Sequence, residues 1–536
     1  MKILFLYPNL RGMNMLPPSI AILSSLLKQR GHTIDMFDTT HWHIPDNDFD
    51  SDKEKEKNLQ ARPFDFAEHQ VTIHETDVFE DFQKKVQSFS PDLIAISATE
   101  DLFPIAISLL RSLRDRPRTV LGGVFATFAG ELALSYPEID MVCVGEGENC
   151  IVDLCERMEK GQSYDNVTNL WLKKGHGHAG ALRRTQTSDG LVGLSLRRSD
   201  DGIIKNSISK PVRMEDAPLP DIGIFEDARL YRPMAGKVYR MLPVETHRGC
   251  PYTCAFCNSP SQEALYEKET NVAFFRKKDF ESVRKEILYY RDVWNAEYLY
   301  FWADTFFAYT NKEFDQFCDM YQDIGLPFWC QTRVETLTTY RVQRLKDVGL
   351  HRVALGLEHG NEKFRREVVD RRMTNDLIVR NMKILNDVGV PYSVNNIIGF
   401  PTETYDLAWE TMTLNRRIDA DNHNCYSFSP FHGTPLRDMA EKLGYLAPEQ
   451  ITRCLTRDSI LDMPQFPRSR VEGLRRTFVM YVKFPESRWP EIKQAEAMTP
   501  EGDAVWLRLR DEFASSFFKP AEGDHGTGKP MAVAVA

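Results

Sequence analysis

The chain has few cysteines, no long apolar run and no excess of basic residues. Ten cysteines among 536 residues are too few for a disulfide framework. No stretch of 18 or more apolar residues occurs, so the sequence predicts no membrane span. The net charge of −10 argues against nucleic acid as a partner, because phosphate binding needs a basic face. The N-terminus reads as a strand and not as a signal peptide, which predicts a cytoplasmic protein.

The first 150 residues alternate short apolar runs with helical patterns. Strands are predicted at 2–7, 33–37, 93–97, 119–121 and 141–144, with helices at 19–30 and 104–114 between them. Such alternation predicts a Rossmann-like parallel sheet covered by helices on both faces. Residues 46–57 are a run of charges, DNDFDSDKEKEK, for which a solvated or disordered loop is the expectation.

A second strand–helix series begins near residue 241. Its strands are predicted at 244–247, 298–302, 328–332, 352–357, 392–398 and 425–429, separated by amphipathic helices such as 280–295. Six such units favour a partial (β/α)6 TIM-type barrel, with its chemistry at the carboxyl ends of the strands. The predicted class is therefore α/β. We expect a first domain at 1–195, a linker at 196–240, the barrel at 241–436, a helical C-terminal region at 437–520 and a disordered tail at 521–536.

Three cysteines follow the first predicted barrel strand in one short loop. Residues 250–257 read CPYTCAFC, so Cys250, Cys254 and Cys257 can wrap around one 4Fe–4S cluster. Protein then ligates three irons, and the fourth keeps an open position for a cofactor or substrate. The alternative is a zinc site, which would call for a second cysteine pair that the sequence does not have. The other seven cysteines are predicted to be small buried side chains.

This spacing at the first strand of a βα barrel resembles the radical S-adenosylmethionine (SAM) superfamily. The resemblance implies that the open iron binds the methionine part of SAM and that SAM is cleaved reductively to a 5′-deoxyadenosyl radical. It also implies an electron donor such as flavodoxin or ferredoxin. Phe256 occupies the family's aromatic position beside the adenine.

Further family positions match one at a time. GLEHG at 356–360 places Glu358 at the fourth-strand acid that contacts SAM, and NNIIGFPTET at 395–404 places Ile397 against the adenine. Asn395 stands there where glycine is usual. SPFHGTP at 429–435 matches the end of the sixth strand and includes Pro430. The Gly-Gly-Glu motif of the second strand is replaced by Ala-Asp-Thr, so Asp304 is assigned to the amino group of SAM.

Small and hydroxylated residues end the strands of the first domain. They allow a bulky ligand to approach the backbone and offer hydrogen bonds to it. The candidate binding residues are Ser97, Thr99, Gly122, Gly123, Gly145 and Glu146.

With the barrel downstream, the first domain resembles the cobalamin-binding domain of class B radical SAM enzymes. GGVFAT at 122–127, VGEGE at 144–148 and PVRMEDAPLPD at 211–221 are typical of that family. The Asp-x-His motif that ligates cobalt from below in other cobalamin proteins is absent, because Thr40 stands at the histidine position. His41 and His43 lie nearby, and as loop histidines both are expected to be exposed. Cobalamin is therefore expected to bind with an unligated lower face.

The resemblance implies methyl transfer to an unactivated carbon or phosphorus centre of a small-molecule biosynthetic intermediate. A radical rearrangement or an oxidative cyclisation, as in the anaerobic magnesium-porphyrin cyclases, is the rival within the enzymes. A cobalamin-binding sensor or scaffold is the rival of another class. A methylthiotransferase would need a further cysteine trio, for which Cys143, Cys150 and Cys155 are badly spaced.

Substrate contacts cannot be assigned from the sequence, although four residues near strand ends are candidates. Core packing is the expectation for one of these, Trp302. The other three are Cys330, Arg333 and Tyr426.

Overall fold

Two seven-stranded sheets organise the chain. The computed structural model describes residues 1–518 apart from 46, 67, 68, 70 and 176–201. The predicted tail at 521–536 lies outside the described residues, as does part of the predicted linker. In the described part of the chain, no helix is both long and apolar enough to cross a membrane.

The first sheet has the order β2-β1-β3-β4-β5-β6-β7, and its first five strands are parallel. Strand β1 lies between two neighbours, so its apolar side chains are buried on both faces. The strands are β1 (Lys2–Tyr7), β2 (Thr33–Asp38), β3 (Leu93–Ser97), β4 (Arg118–Gly122), β5 (Met141–Cys143), β6 (Leu170–Lys173) and β7 (Ile203–Lys205). The helices are α1 (Pro18–Gln29), α2 (Ser51–Lys57), α3 (Val78–Phe89), α4 (Phe103–Ser112), α5 (Val124–Phe128), α6 (Gly130–Ser135) and α7 (Glu148–Glu159).

The second sheet has the order β16-β15-β14-β13-β12-β9-β8 and is parallel except for the β8–β9 pair. It forms a half-barrel, which confirms the predicted partial barrel. Its strands are β8 (Tyr231–Met234), β9 (Lys237–Glu245), β12 (Tyr298–Trp302), β13 (Phe328–Arg333), β14 (Leu350–Glu358), β15 (Tyr392–Ile398) and β16 (Asn422–Ser427); β10 (His247–Arg248) pairs separately with β11 (Arg276–Lys277). The helices between the strands are α8 (Ser259–Thr270), α9 (Phe280–Trp294), α10 (Asn311–Tyr321), α11 (Thr339–Val348), α12 (Glu362–Glu367), α13 (Asn375–Val388) and α14 (Tyr405–Asn415).

Up to residue 518, four further α-helices follow β16: α15 (Pro435–Lys442), α16 (Arg468–Lys483), α17 (Trp489–Ala495) and α18 (Pro500–Phe517). Helix α16 is the central one, since its residues from Val471 to Val482 are all buried. Segment 202–240, within the range predicted as a linker, contributes β7 to the first sheet and β8 with the start of β9 to the second.

The prediction of a solvated or disordered loop was wrong for residues 51–57, which form helix α2. Asp50 caps helix α2 by accepting hydrogen bonds from the backbone of Asp52 and Lys53, and Asp52 is buried. Beyond the helix, the Gln60 side chain donates to the carbonyl of Cys425 at 2.8 Å. The charge pattern concealed this helix, because its charged side chains form i,i+3 ion pairs along the helix. The contact with the edge strand β16 comes from Gln60, beyond the helix.

Candidate active site

The loop that carries three cysteines lies at the carboxyl end of the half-barrel sheet. Gly249 opens it with φ +84°, and a Cβ atom there would lie 2.9 Å from the Phe274 ring, so only glycine fits without strain. The loop is pinned at Ala255, whose amide donates to the carbonyl of Val369 at 3.0 Å and whose carbonyl accepts from the amide of Leu436 at 3.1 Å. The cysteines are therefore held in a defined turn before α8.

The three thiols lie in different polar surroundings. The Arg333 guanidinium donates to Cys254 Sγ at 2.9 Å, and Cys250 Sγ lies 3.4 Å from the Thr305 hydroxyl. Burial raises the pKa of the Cys257 thiol to about 12 and also raises that of Cys250. Iron ligation requires thiolates, so positive charge beside the loop favours the bound form.

These donors fit a 4Fe–4S cluster better than a single metal ion. Among the residues that the structure describes, no three ligating side chains are gathered closely enough for one ion. A cubane cluster binds each thiolate to a different iron, so its ligands stand farther apart than those of one ion. Three sulfur donors in one loop, with a cation beside them, match that requirement.

A cavity of about 430 Å³ lies between the two sheets, beside the cysteine loop. From the predicted sites it brings together Thr99, Phe256, Cys257 and Asp304. Both halves of the chain supply its walls. The first domain contributes Thr99, Glu100, Val124 and Phe125; the barrel contributes Glu245, His247, Arg248, Gly249, Phe256, Cys257, Asn258, Ser259, Gln262, Trp302, Asp304, Phe431 and His432.

Asp304 and Glu358, the two acids assigned to SAM, occupy different environments. Asp304 is accessible from the cavity and accepts a hydrogen bond from the Ser259 hydroxyl, while burial raises its pKa. Glu358 is buried at φ +68° and pairs with Arg371, whose Nη1 lies 3.0 Å from Oε1. Burial raises the pKa of Glu358, and Arg371 acts against that shift. Asp304 is therefore the acid that a ligand in the cavity reaches directly.

The other assigned SAM positions lie on and beyond β15. Asn395 and Ile397 are half-buried and alternate with buried residues, so they share one face of the sheet. Asn395 accepts a hydrogen bond from the Asn424 side chain at 2.8 Å, which occupies its amide oxygen. Pro430 is buried, and its carbonyl accepts from Arg437 at 2.8 Å.

The strand ends of the first domain divide into two groups. Ser97, Thr99, Gly122 and Gly123 end β3 and β4, and Thr99 opens into the cavity. Gly123 has φ +108°, and a Cβ atom there would lie 2.8 Å from the carbonyl oxygen of Ala98. Glycine at this position is therefore required by its close approach to Ala98, and Thr99 is the predicted site residue of this group that lines the cavity.

Gly145 and Glu146 form the second group and contact the barrel. A Cβ atom on Gly145 would lie 2.5 Å from the Tyr266 hydroxyl, which accepts a hydrogen bond from the amide of Glu146 at 2.7 Å. The Glu146 carboxylate pairs with Arg248 at 2.5 Å and with Arg276. The structure thus shows an interdomain contact at these two residues.

Thr40 and its neighbours form a closed polar cluster. Its hydroxyl donates to Asp38 at 2.5 Å and accepts from the Asn9 side chain at 2.8 Å. His41 is 5% exposed, so the expectation of an exposed histidine was wrong; burial, and next the charge of Arg229, lower its pKa to about 4. His43 is half-buried, with 43% of its side chain exposed, and its Nδ1 lies 3.1 Å from Asp48.

Several neighbours of the cavity differ from expectation. Trp302 is 37% exposed and lines the cavity, so the prediction of core packing was wrong. Cys330 is buried, as are the other six scattered cysteines, which confirms the prediction for them.

The sequence analysis missed Glu100. Its buried carboxylate accepts hydrogen bonds from the amides of His432 at 2.8 Å and Thr452 at 2.9 Å, which ties the first domain to the rest of the chain. Its position directly after Thr99 was the available signal.

The comparisons with known proteins fall on the same two halves. The radical SAM superfamily model matches residues 244–414, and the B12-binding domain model matches residues 54–154. An uncharacterized methyltransferase of Pyrococcus horikoshii is 24% identical over 435 residues, covering 78% of this chain and 85% of its own length. The anaerobic magnesium-protoporphyrin IX monomethyl ester cyclase of Rubrivivax gelatinosus is 24% identical over 461 residues, which cover 83% of this chain and 70% of the cyclase.

Two solved structures share the fold over nearly the whole chain. The enzyme OxsB, with aqua-cobalamin and SAM bound, has a TM-score of 0.61 at 14% identity and covers 95% of this chain and 70% of its own. The methyltransferase TsrM of Kitasatospora setae, with cobalamin and a 4Fe–4S cluster bound, has a TM-score of 0.59 at 13% identity. The match covers 96% of this chain and 99% of the TsrM chain. At these identities the two likenesses show a shared fold.

Proposed function

Because this chain belongs to the cobalamin-dependent radical SAM enzymes, we propose that it transfers a methyl group to an unactivated carbon or phosphorus centre of a small molecule. Its cofactors are a 4Fe–4S cluster, SAM and cobalamin. When bound, they supply a substrate radical and a methyl donor. The protein's own task is to hold these groups and the substrate in one dry, oriented site.

The observation that carries the proposal is the cavity shared by both domains. Cys257 and Phe256 belong to the cluster loop, whereas Thr99 and Phe125 belong to the first domain, and all four line the same space. A methyl donor held by one domain can meet a radical generated in the other only if the two sites open toward each other, since reacting atoms must come within about 3–3.5 Å. The shared walls support that arrangement.

The side chains around the cavity have separate tasks in this proposal. The three loop cysteines hold the cluster, and Asp304, facing the cavity, binds the cationic amino group of SAM. Phe256 and Trp302 offer aromatic faces that exclude water and stack against flat groups. Thr99, Gly122 and Gly123 contact the corrin from the first domain.

The relatives support methyl transfer and also keep a rival in view. The methyltransferase of P. horikoshii matches over most of its length, yet the porphyrin cyclase of R. gelatinosus matches at the same identity. Oxidative cyclisation is therefore the second candidate. The two reactions differ in the fate of SAM, because methyl transfer would also consume SAM as the source of the methyl group and release S-adenosylhomocysteine, whereas cyclisation would not.

The test is anaerobic incubation of the full chain with SAM, cobalamin, candidate substrates and a low-potential electron donor such as flavodoxin or ferredoxin. The proposal expects both 5′-deoxyadenosine and S-adenosylhomocysteine, in amounts that rise with methylated product. Deoxyadenosine with substrate consumption and no S-adenosylhomocysteine would contradict methyl transfer and favour cyclisation or rearrangement. A Cys254→Ala variant is the control for products that do not depend on the cluster.

A further inference from the structure

Cys254 differs from the other two loop cysteines in having buried guanidinium groups beside its sulfur. Arg333, at the end of β13, places Nη1 2.9 Å from Cys254 Sγ and is 7% exposed. By contrast, the sulfur of Cys250 lies 3.4 Å from the hydroxyl of Thr305. The positive charge is thus concentrated at one corner of the cluster loop.

The guanidinium group of Arg333 is held in place by an ion pair along its edge and by an aromatic ring against its face. Its Nε donates to Glu335 at 2.7 Å, and Nη2 lies 2.5 Å from the same oxygen. The guanidinium carbon lies 3.9 Å from the ring centre of Tyr252, a residue of the cysteine loop itself. Because the ion pair and the stacking contact fix the plane, Nη1 is directed at the sulfur without further loss of side-chain freedom.

Arg371 approaches the same sulfur from the loop between α12 and α13. Its Nη1 is 3.9 Å from Cys254 Sγ and 3.0 Å from Glu358 Oε1, and Nη2 donates to the carbonyl of Gly356 at 2.8 Å. This guanidinium is buried, with a side-chain exposure of 5%. Each guanidinium is paired with a carboxylate, but Arg371 lies 3.9 Å from the sulfur and Arg333 only 2.9 Å, so the influence of Arg371 on the sulfur is the weaker.

We propose that Arg333, assisted by Arg371, is a positioning residue that raises the reduction potential of the cluster through an N–H···S bond to Cys254. The inference needs only the cluster and is independent of methyl transfer. Reduction transfers one electron from an external low-potential donor to the cluster, and no covalent bond forms or breaks. The cluster becomes more negative by one charge, and a fixed cation a few ångströms from a ligand sulfur stabilises that charge.

The direct test is a redox titration of the full chain, with its cluster reconstituted and without SAM, followed by the electron paramagnetic resonance (EPR) signal of the reduced cluster. At the midpoint of the unsubstituted enzyme, Arg333→Gln should lower the ratio of reduced to oxidised cluster about tenfold, which for one electron is about 59 mV. Arg371→Gln should shift the midpoint in the same direction by less.

Two controls separate this effect from general damage. Arg344→Gln removes a guanidinium of α11 that pairs with Asp319, away from the cluster loop, and should leave the midpoint unchanged. The double variant Arg333→Gln/Glu335→Gln removes the carboxylate that the single variant leaves unpaired, and its midpoint should stay below that of the unsubstituted enzyme.

The proposal is overturned if Arg333→Gln carries full iron and sulfide and keeps or raises the midpoint. It is equally overturned if Arg344→Gln shifts the midpoint as far as Arg333→Gln does. If Arg333→Gln cannot hold its cluster, the test is made on Arg371→Gln. An unchanged midpoint potential in that variant would contradict the electrostatic effect and overturn the proposal.

Discussion

Substituting Glu146 by glutamine distinguishes a cobalamin contact from an interdomain contact. The sequence assigned this residue to the cofactor, whereas its carboxylate pairs with Arg248 and Arg276 of the barrel half. Glutamine keeps the shape of the side chain and removes its charge. We expect the two halves of the chain to separate more readily in this variant, with little change in the affinity for cobalamin.

The free-energy cost of Glu146→Gln depends on the partners that the guanidinium groups of Arg248 and Arg276 keep. Removing one partner of a buried ion pair costs about 3–5 kcal/mol. Arg248 still lies 2.6 Å from Glu148 and 2.8 Å from Glu245, and Arg276 still donates to backbone carbonyls. The expected cost is therefore below that range, at about 2 kcal/mol, which raises the population of the opened state roughly 30-fold.

Limited proteolysis measures that population when opening is fast compared with cleavage. Cleavage within segment 202–240, between the two sheets, should accelerate by roughly the same factor in Glu146→Gln. Glu80→Gln is the matched control, because that carboxylate lies on the same domain, is exposed and pairs with Lys84 of its own helix. Unchanged cleavage in Glu146→Gln, with weakened cobalamin binding, would refute the interdomain assignment and restore the cofactor contact.

Three further predictions follow from the site. Replacing any one of the loop cysteines by alanine should abolish the cluster while Cys318→Ala retains it, and full iron and sulfide in a loop variant would contradict the ligand set. His41→Ala should leave the EPR spectrum of bound, reduced cobalamin unchanged and without nitrogen splitting; a splitting lost in the variant would identify a cobalt ligand. Asp304→Asn should weaken SAM binding about 10- to 100-fold by equilibrium dialysis, since a hydrogen bond to a charged group contributes about 1.5–3 kcal/mol; equal affinity would remove Asp304 from the site.

The sheets were predictable because their strands are apolar runs with clear ends. Strands β12 (Tyr298–Trp302) and β15 (Tyr392–Ile398) have the predicted bounds. Strand β9 begins at Lys237, before the predicted start at 244, because its first residues pair with β8 at the edge of the sheet and carry less apolar character. Helix α2 was missed because its charge run hides two buried residues.

Part of the site was not predictable, because it depends on contacts between distant segments. The cysteine loop is local, so its spacing alone identified it. Arg333 and Arg371 stand 79 and 117 residues from Cys254, and no local pattern connects them to it. The same holds for Glu146, whose partners come from the other half of the chain. Side-chain pairing across domains is set by tertiary packing, which a single sequence does not display.

In the proposed arrangement, cobalamin and the cluster open into one cavity between the domains. The most direct measurement is the EPR spectrum of the full chain carrying both a reduced cluster and paramagnetic cob(II)alamin. We predict magnetic coupling between the two centres, seen as faster relaxation or splitting of the cobalt signal, because residues assigned from the sequence to each of the two cofactors line the same space. A spectrum equal to the sum of the two separately loaded samples would contradict the shared cavity.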